Sequence, residues 1–209
     1  TRSAGEISEF MDKLPGDEKQ KLAQIRAAYT YQMLHPGIKM TSPGKELSRE
    51  METFFHDLNE LYCSHPALWQ KDHEYEGFEW IQLMKYEENV LTFMRKTEKP
   101  EETLVAVVNF AAVPYENYQI GVPFKGKYKE IFNSDRKEYG GMGAGNPRAK
   151  SSKAEECDER ENSLKIRIPA FGAVVLSCTL AEKAEKKPLK KPAARKRSTA
   201  KKTSKKPAA

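Results

Sequence analysis

Four carboxylates stand beside the apolar runs of this 209-residue chain, Glu79, Glu87, Glu88 and Asp135. Paired carboxyl groups can move a proton or attack an acetal carbon, provided rigid elements hold them at a fixed separation. Nothing in the spacing of these four supplies that. Asp135 follows Asn133-Ser134 in the pattern of an Asx-type turn, and the other three flank strand-like runs where solvation is sufficient. No catalytic residue is assigned. Six aromatic residues raise a second chemistry, because an exposed ring can pack on the apolar face of a sugar. They are Trp69, Trp80, Tyr115, Tyr118, Phe124 and Tyr139. Trp80 alternates within an apolar run and is assigned to the core. Tyr115, Tyr118 and Tyr139 lie near loops and remain the candidate sugar contacts.

Other motifs carry less. The run Gly140-Gly141-Met142-Gly143-Ala144-Gly145 lacks the Gly-Lys-Ser/Thr of a phosphate loop and is not followed by a helical pattern. His35 and His65 each precede a proline at a helix end, where capping and packing explain them. His56 and His73 have no Cys or His companion, and Cys63, Cys157 and Cys178 fall at unrelated spacings. This reading assigns neither metal nor cofactor. Three unpaired thiols fit a reducing cytosol. No apolar run approaches the roughly 20 residues of a membrane span, and residues 1–20 contain no signal-like apolar region. A cytoplasmic location away from the membrane is expected.

The elements that must position these residues divide in two. Pro15-Gly16, a candidate N-cap at Asp17 with Gln20 three residues on, and the stop His35-Pro36-Gly37 predict a helix between residues 15 and 37. Leu22, Ile25, Tyr29 and Met33 form its apolar stripe. A second helix is expected from about Pro43 to Tyr62 with Ser42 as cap, and its apolar set of Leu47, Met51, Phe54, Phe55, Leu58, Leu61 and Tyr62 demands burial. From Gly77 the period shortens. Seven strands are expected, at 78–84, 90–95, 103–110, 118–122, 127–132, 163–168 and 173–179, bounded by Asn, Pro, Gly and Lys clusters. With no helical pattern between them, they predict an antiparallel sandwich or barrel. Residues 135–162 form a polar, Gly-rich excursion placed at the surface.

Charge is unevenly spread. Residues 181–209 hold 12 Lys/Arg against Glu182 and Glu185, whereas the other 180 residues carry 24 basic and 28 acidic side chains, a net of −4. The basic tail has no aromatic residue with which to build a core and is expected to be disordered. Its Lys-Lys and Lys-Pro steps resemble linker-histone tails. They allow weak, sequence-independent attraction to nucleic acid or another polyanion, but no base readout.

Several stretches share an order and spacing with a known family. They are Lys13-Leu14-Pro15-Gly16-Asp17, Ala23-Gln24-Ile25-Arg26, His35-Pro36-Gly37-Ile38-Lys39, Asp57-Leu58-Asn59-Glu60-Leu61-Tyr62 with Pro66-Ala67-Leu68, Gly77-Phe78-Glu79-Trp80-Ile81, Tyr118-Gln119-Ile120-Gly121-Val122-Pro123, Asn133-Ser134-Asp135 and Tyr139-Gly140-Gly141. Over residues 10–180 the chain resembles the C-terminal region of bacterial 1,4-α-glucan (glycogen) branching enzymes of the α-amylase superfamily. The resemblance implies a mainly β fold. Residues 1–73 would be a remnant of the catalytic (β/α)8 barrel, residues 74–180 an antiparallel β-sandwich, and residues 181–209 the tail.

The resemblance also implies an α-glucan partner and a transferase that moves α-1,4 glucan segments to α-1,6 branch points. Two departures matter. Between Lys39 and Leu47 the family carries a longer segment with a barrel strand, and at residues 1–9 its His-Asp-Glu motif is replaced by Thr1-Arg2-Ser3-Ala4-Gly5. None of the three family carboxylates has a matching position, and 209 residues cannot hold a complete barrel of roughly 250 together with a second domain. The chain is therefore expected to be a C-terminal part of such an enzyme, inactive alone, whose catalytic machinery lies upstream of Thr1. The alternative is a non-catalytic α-glucan-binding protein, or a nucleic-acid-binding one that uses the tail.

Overall fold

The computed structural model describes residues 11–39, 48–82 and 86–181. Residues 1–10, and the tail expected to be disordered from residue 182 onward, lie outside them. Helix α1 spans Glu18–Leu34. Its start is the expected capping box: the Asp17 carboxylate accepts from the Gln20 backbone N–H at 2.8 Å, and the Gln20 side chain accepts from the Asp17 N–H at 3.1 Å. His35 closes it, donating its backbone N–H to Tyr31. Helix α2 spans Arg49–Ser64, and its N-cap is Ser48, whose hydroxyl accepts from the Met51 N–H. The helix thus begins later than the composition suggested, and the expected cap Ser42 with Pro43 lies outside the described residues. The apolar stripe survives the shift, since Met51, Phe54, Phe55, Leu58 and Leu61 are all buried.

Eight strands follow: β1 (Phe78–Gln82), β2 (Val90–Arg95), β3 (Leu104–Asn109), β4 (Tyr115–Val122), β5 (Gly126–Asn133), β6 (Lys150–Ser151), β7 (Asn162–Ile168) and β8 (Gly172–Leu180). Every pairing is antiparallel. Six strands form one sheet in the order β1-β2-β3-β8-β5-β6, and β4 pairs with β7 in a second. The fold is mainly β, as expected. The short β6 falls inside the polar excursion, where no hydrophobic period announces it.

Both faces of the large sheet are covered. In β3, Leu104, Ala106 and Val108 join the core formed with α1 and α2, while Val105 and Val107 join the core shared with Ile120, Val122, Leu164, Ile166 and Ile168 of β4 and β7. Opposite β3 in β8, Ala173 and Val175 take the helix side and Val174, Leu176 and Cys178 the β4–β7 side. Double coverage explains why these two strands read as unbroken apolar runs. A one-residue slip of register would exchange the two cores' side chains.

The helix-side core runs continuously across the position between residues 73 and 74, and one side chain ties it together. Arg95, at the end of β2, has 1% side-chain exposure. Its guanidinium donates to the backbone carbonyls of Gly77 (3.2 Å), Leu34 (2.7 Å) and Leu68 (3.2 Å) and to the Asp72 carboxylate (2.7 Å). The C-terminal end of α1, the turn after α2 and the start of β1 therefore converge on a single charge, which Asp72 neutralises. Arg26 makes a similar tie farther along α1, donating to the carbonyls of Ser134 (2.8 Å) and Tyr139 (3.0 Å). Burial depresses the Arg26 pKa, and the charge of Asp135 works against that shift.

Candidate functional site

Two of the three tyrosines expected to touch sugar are inside the protein. Tyr139 is 1% exposed. Its ring stacks on Phe132 and meets Phe54 edge-on, and its hydroxyl donates to the Asp57 carboxylate of α2 at 2.7 Å. Burial, followed by the bond to Asp57, pushes its phenol well above the ordinary value. Tyr118 is 8% exposed and shares hydrogen bonds with Gln82 and the Glu88 carboxylate. Both rings are spent on packing, because a loop next to a sheet can be folded under a helix or hairpin that the local sequence does not reveal. Tyr115 is half-buried against the Tyr118 ring, 5.1 Å between centroids, with its hydroxyl on the Glu88 carbonyl. Phe124 packs on the core beneath β4 and β7.

Trp80 lies at the margin of the core. It is half-buried in a cluster with Phe78, Phe93 and His35, at 5.0, 5.6 and 6.4 Å. Trp69 differs. It follows the 3-10 turn Pro66–Leu68 and is 45% exposed.

Three of the four carboxylates have structural duties. Glu79 is clamped between Lys96 and Arg160. Glu88 receives the Tyr118 hydroxyl. Asp135 is buried, accepting the N–H of Met142 and of Ala144, both at 2.9 Å. Glu87 is exposed. The expected Asx turn exists, but its side chain is Asn133, which accepts the Asp135 N–H at 2.9 Å. Asp135 instead organises the glycine run from inside, and Gly141 is required there because a Cβ would collide with the Asp135 carbonyl. Loop 135–146 is thereby held as fixed structure, with its backbone N–H groups turned onto protein carboxylates at Met142, Ala144 and Asn146 and onto backbone carbonyls at Gly140, Gly141 and Gly143.

His56, Asp57 and Glu60 on α2 hold their ligand atoms within 4.8 Å of one another. The spacing of His and Cys in the sequence does not announce them, because the companions of His56 are carboxylates. Asp57 is already engaged by His56 and Tyr139, so as a cation site the cluster would have to break contacts that hold Tyr139.

One exposed corner gathers groups suited to recognition. Pro66, Trp69 and Gln70 face Thr97, Glu98, Lys99 and Glu102 of the β2–β3 connection across a concavity of about 170 Å³. The connection holds its own shape: Thr97 donates to Glu102 at 2.7 Å, Lys99 pairs with Glu102 at 2.9 Å, and Lys71 pairs with Glu98 at 2.7 Å. The hydrogen bonds from Lys71 and Lys99 hold Glu98 and Glu102 below the usual carboxylate range. No sequence signal joins Trp69 to residues 97–102, because only the sheet brings them together.

Residues 80–179 match the family of alpha amylase C-terminal all-beta domains. The 1,4-alpha-glucan branching enzyme GlgB of Desulfitobacterium hafniense (strain Y51) is 38% identical over 193 residues, covering 82% of this chain and 30% of that protein. That of Trichodesmium erythraeum (strain IMS101) is 36% identical over 189 residues, covering 80% of this chain and 24% of that protein. The chain spans less than a third of the length of these relatives. A solved α-amylase from H. orenii aligns with 78% of this chain and 36% of its own at 18% identity and a TM-score of 0.42. Through residues 80–179 the chain belongs to the alpha amylase C-terminal all-beta domain family, and over most of its length it is a relative of the bacterial 1,4-α-glucan branching enzymes.

Proposed function

We propose that this chain is the C-terminal part of a 1,4-α-glucan branching enzyme, with no catalytic group of its own, acting in the cytosol as the support of a catalytic barrel that moves α-1,4 glucan segments to α-1,6 branch points. The observation that carries the reading is the 38% identity to a branching enzyme over 82% of the chain. The duties of the acids agree with it. Retaining transfer needs two carboxyl groups about 5 Å apart across the sugar, whereas Glu79, Glu88 and Asp135 are each tied to protein partners. The test is to incubate the chain with amylose and follow new α-1,6 linkages, alone and together with a separately expressed branching-enzyme barrel. No linkages alone, with gain of barrel stability or turnover on addition, is the expected result. Branching by the chain alone would overturn it.

A second reading rests on the 12 Lys/Arg of residues 181–209. They give the chain a salt-sensitive attachment to polyanions by counterion release. Gel shift of duplex DNA at low salt that is lost on deleting residues 181–209 would support this. A shift that survives the deletion would place the binding elsewhere.

A further inference from the structure

We infer that the corner formed by Trp69 and the β2–β3 connection is a surface contact for one ring of an α-glucan chain. This rests on the α-glucan reading above and assigns it a place. Trp69 is the more exposed of the two tryptophans, and it borders a concavity instead of standing alone on a convex surface. Sugar rings have an apolar face and an equatorial belt of hydroxyls, and the corner supplies the complement of both: an indole beside the amide of Gln70, the ammonium of Lys99 and the carboxylate of Glu98, with Glu102 held behind them by Thr97 and Lys99. Glu98, held by Lys71 through one carboxylate oxygen, can accept a hydroxyl through the other, and an amide can donate and accept.

Competing ligand classes fit less well. An apolar peptide would have to desolvate the charged rim without pairing it. A phosphorylated ligand would meet Glu98 and Glu102, two negative charges against the single lining ammonium of Lys99. At about 170 Å³ the space is smaller than the roughly 300–1,000 Å³ of sites that enclose a whole small molecule. It suits one ring of a polymer whose remainder stays in water. Such a contact is weak singly and gains from multivalency on a branched glucan. Its role would be to keep a glucan branch near the enzyme without contributing to the chemistry.

The full chain is run in native gels with and without glycogen, and maltoheptaose is titrated while tryptophan emission is followed. Expected are retardation by glycogen, loss of at least about tenfold in apparent affinity for Trp69→Ala, and affinity within about threefold of the parent for the ring-preserving Trp69→Tyr. Trp69→Phe should also abolish most of the emission change, since only Trp80 then reports. Thermal melts of each variant show whether the fold is kept. If Trp69→Ala is retarded as strongly as the parent, the site is wrong and the branching-enzyme reading is untouched. If the parent itself is not retarded, the proposal also fails, while the barrel-addition assay above judges the family reading separately. Equal binding of cellohexaose would overturn the assignment of an α-glucan.

Discussion

The segment 66–72 serves two neighbourhoods that treat polar groups in opposite ways. On its inner side the Leu68 carbonyl and the Asp72 carboxylate turn toward Arg95, where each polar atom meets a partner away from water. On its outer side Trp69 and Gln70 face solvent across from Thr97 and Glu102. Buried polarity that is fully partnered fixes the relation of helices to sheet and offers nothing to a ligand. Exposed polarity beside an open ring contributes little to stability and is available for binding. Stability and recognition should therefore separate cleanly by mutation across a few residues.

The largest expected effect is at Arg95. Arg95→Ala strands the carbonyls of Leu34 and Leu68 and leaves Asp72 with only Lys39 and the Gly37 N–H, and breaking a buried pair in this way costs about 3–5 kcal/mol. Arg95→Lys should lose much of the same, because a single ammonium cannot span the directions that the guanidinium fork reaches. Urea unfolding measures both. A loss below about 1 kcal/mol for Arg95→Ala would show that the hub is decorative.

Next is Trp80→Ala. A fully buried tryptophan costs roughly 3–5 kcal/mol on truncation, and a half-buried one in an aromatic cluster should cost about 2–3. If the variant melts with the parent, the cluster of Phe78, Phe93 and His35 closes without the indole.

Acid should attack the same hub. Burial works to raise the Asp72 carboxyl, but the bond from Arg95, the Gly37 N–H and the charge of Lys39 together hold it below the ordinary range. A depressed carboxylate contributes stability that is fully present above its unfolded value of about 3.9 and is lost as pH falls through the folded value. Asp57 and Glu79 are depressed as well, so the parent should lose stability on acidification below about pH 4 with several groups contributing. Asp72→Asn isolates one of them: less stable than the parent at neutral pH, it should approach the parent as pH drops. A constant gap between the two curves would mean that the Asp72 charge does not couple to folding.

How much of this was legible follows from range. The capping box at Asp17, the apolar stripe of α2 and, β6 apart, the strands of the large sheet are written in local spacing, and the structure places them within a few residues of expectation. The resemblance carried the fold class further than periodicity could, since sandwich and barrel share a strand pattern. What spacing could not carry was long-range. Tyr139 sits in a polar loop, and only the approach of α2, through Asp57 and Phe54, buries it. Arg95 ends a strand where a charge is ordinarily solvated, and its burial depends on carbonyls from three distant segments. The start of α2 was misjudged because Ser42-Pro43 and Ser48 both make acceptable caps locally.

The smallest effect on stability should come from Trp69→Ala, and that smallness is its diagnostic value. With 45% exposure the indole is partly in water already, so truncation forfeits little burial. The connection opposite keeps its shape through Thr97, Lys99 and Glu102 without it. Surface substitutions of this kind usually shift stability by no more than about 0.5 kcal/mol. Asp72→Asn, three residues away in helix-side contact with Arg95, should show the reverse pattern: a clear stability loss and unchanged glucan retardation where both proteins are folded. If Trp69→Ala destabilises the chain as much as Asp72→Asn does, the outer face of this segment is part of the core's support, and its openness to a ligand is incidental. If it leaves the melt unchanged while abolishing retardation, two neighbouring faces of one short segment divide folding from binding.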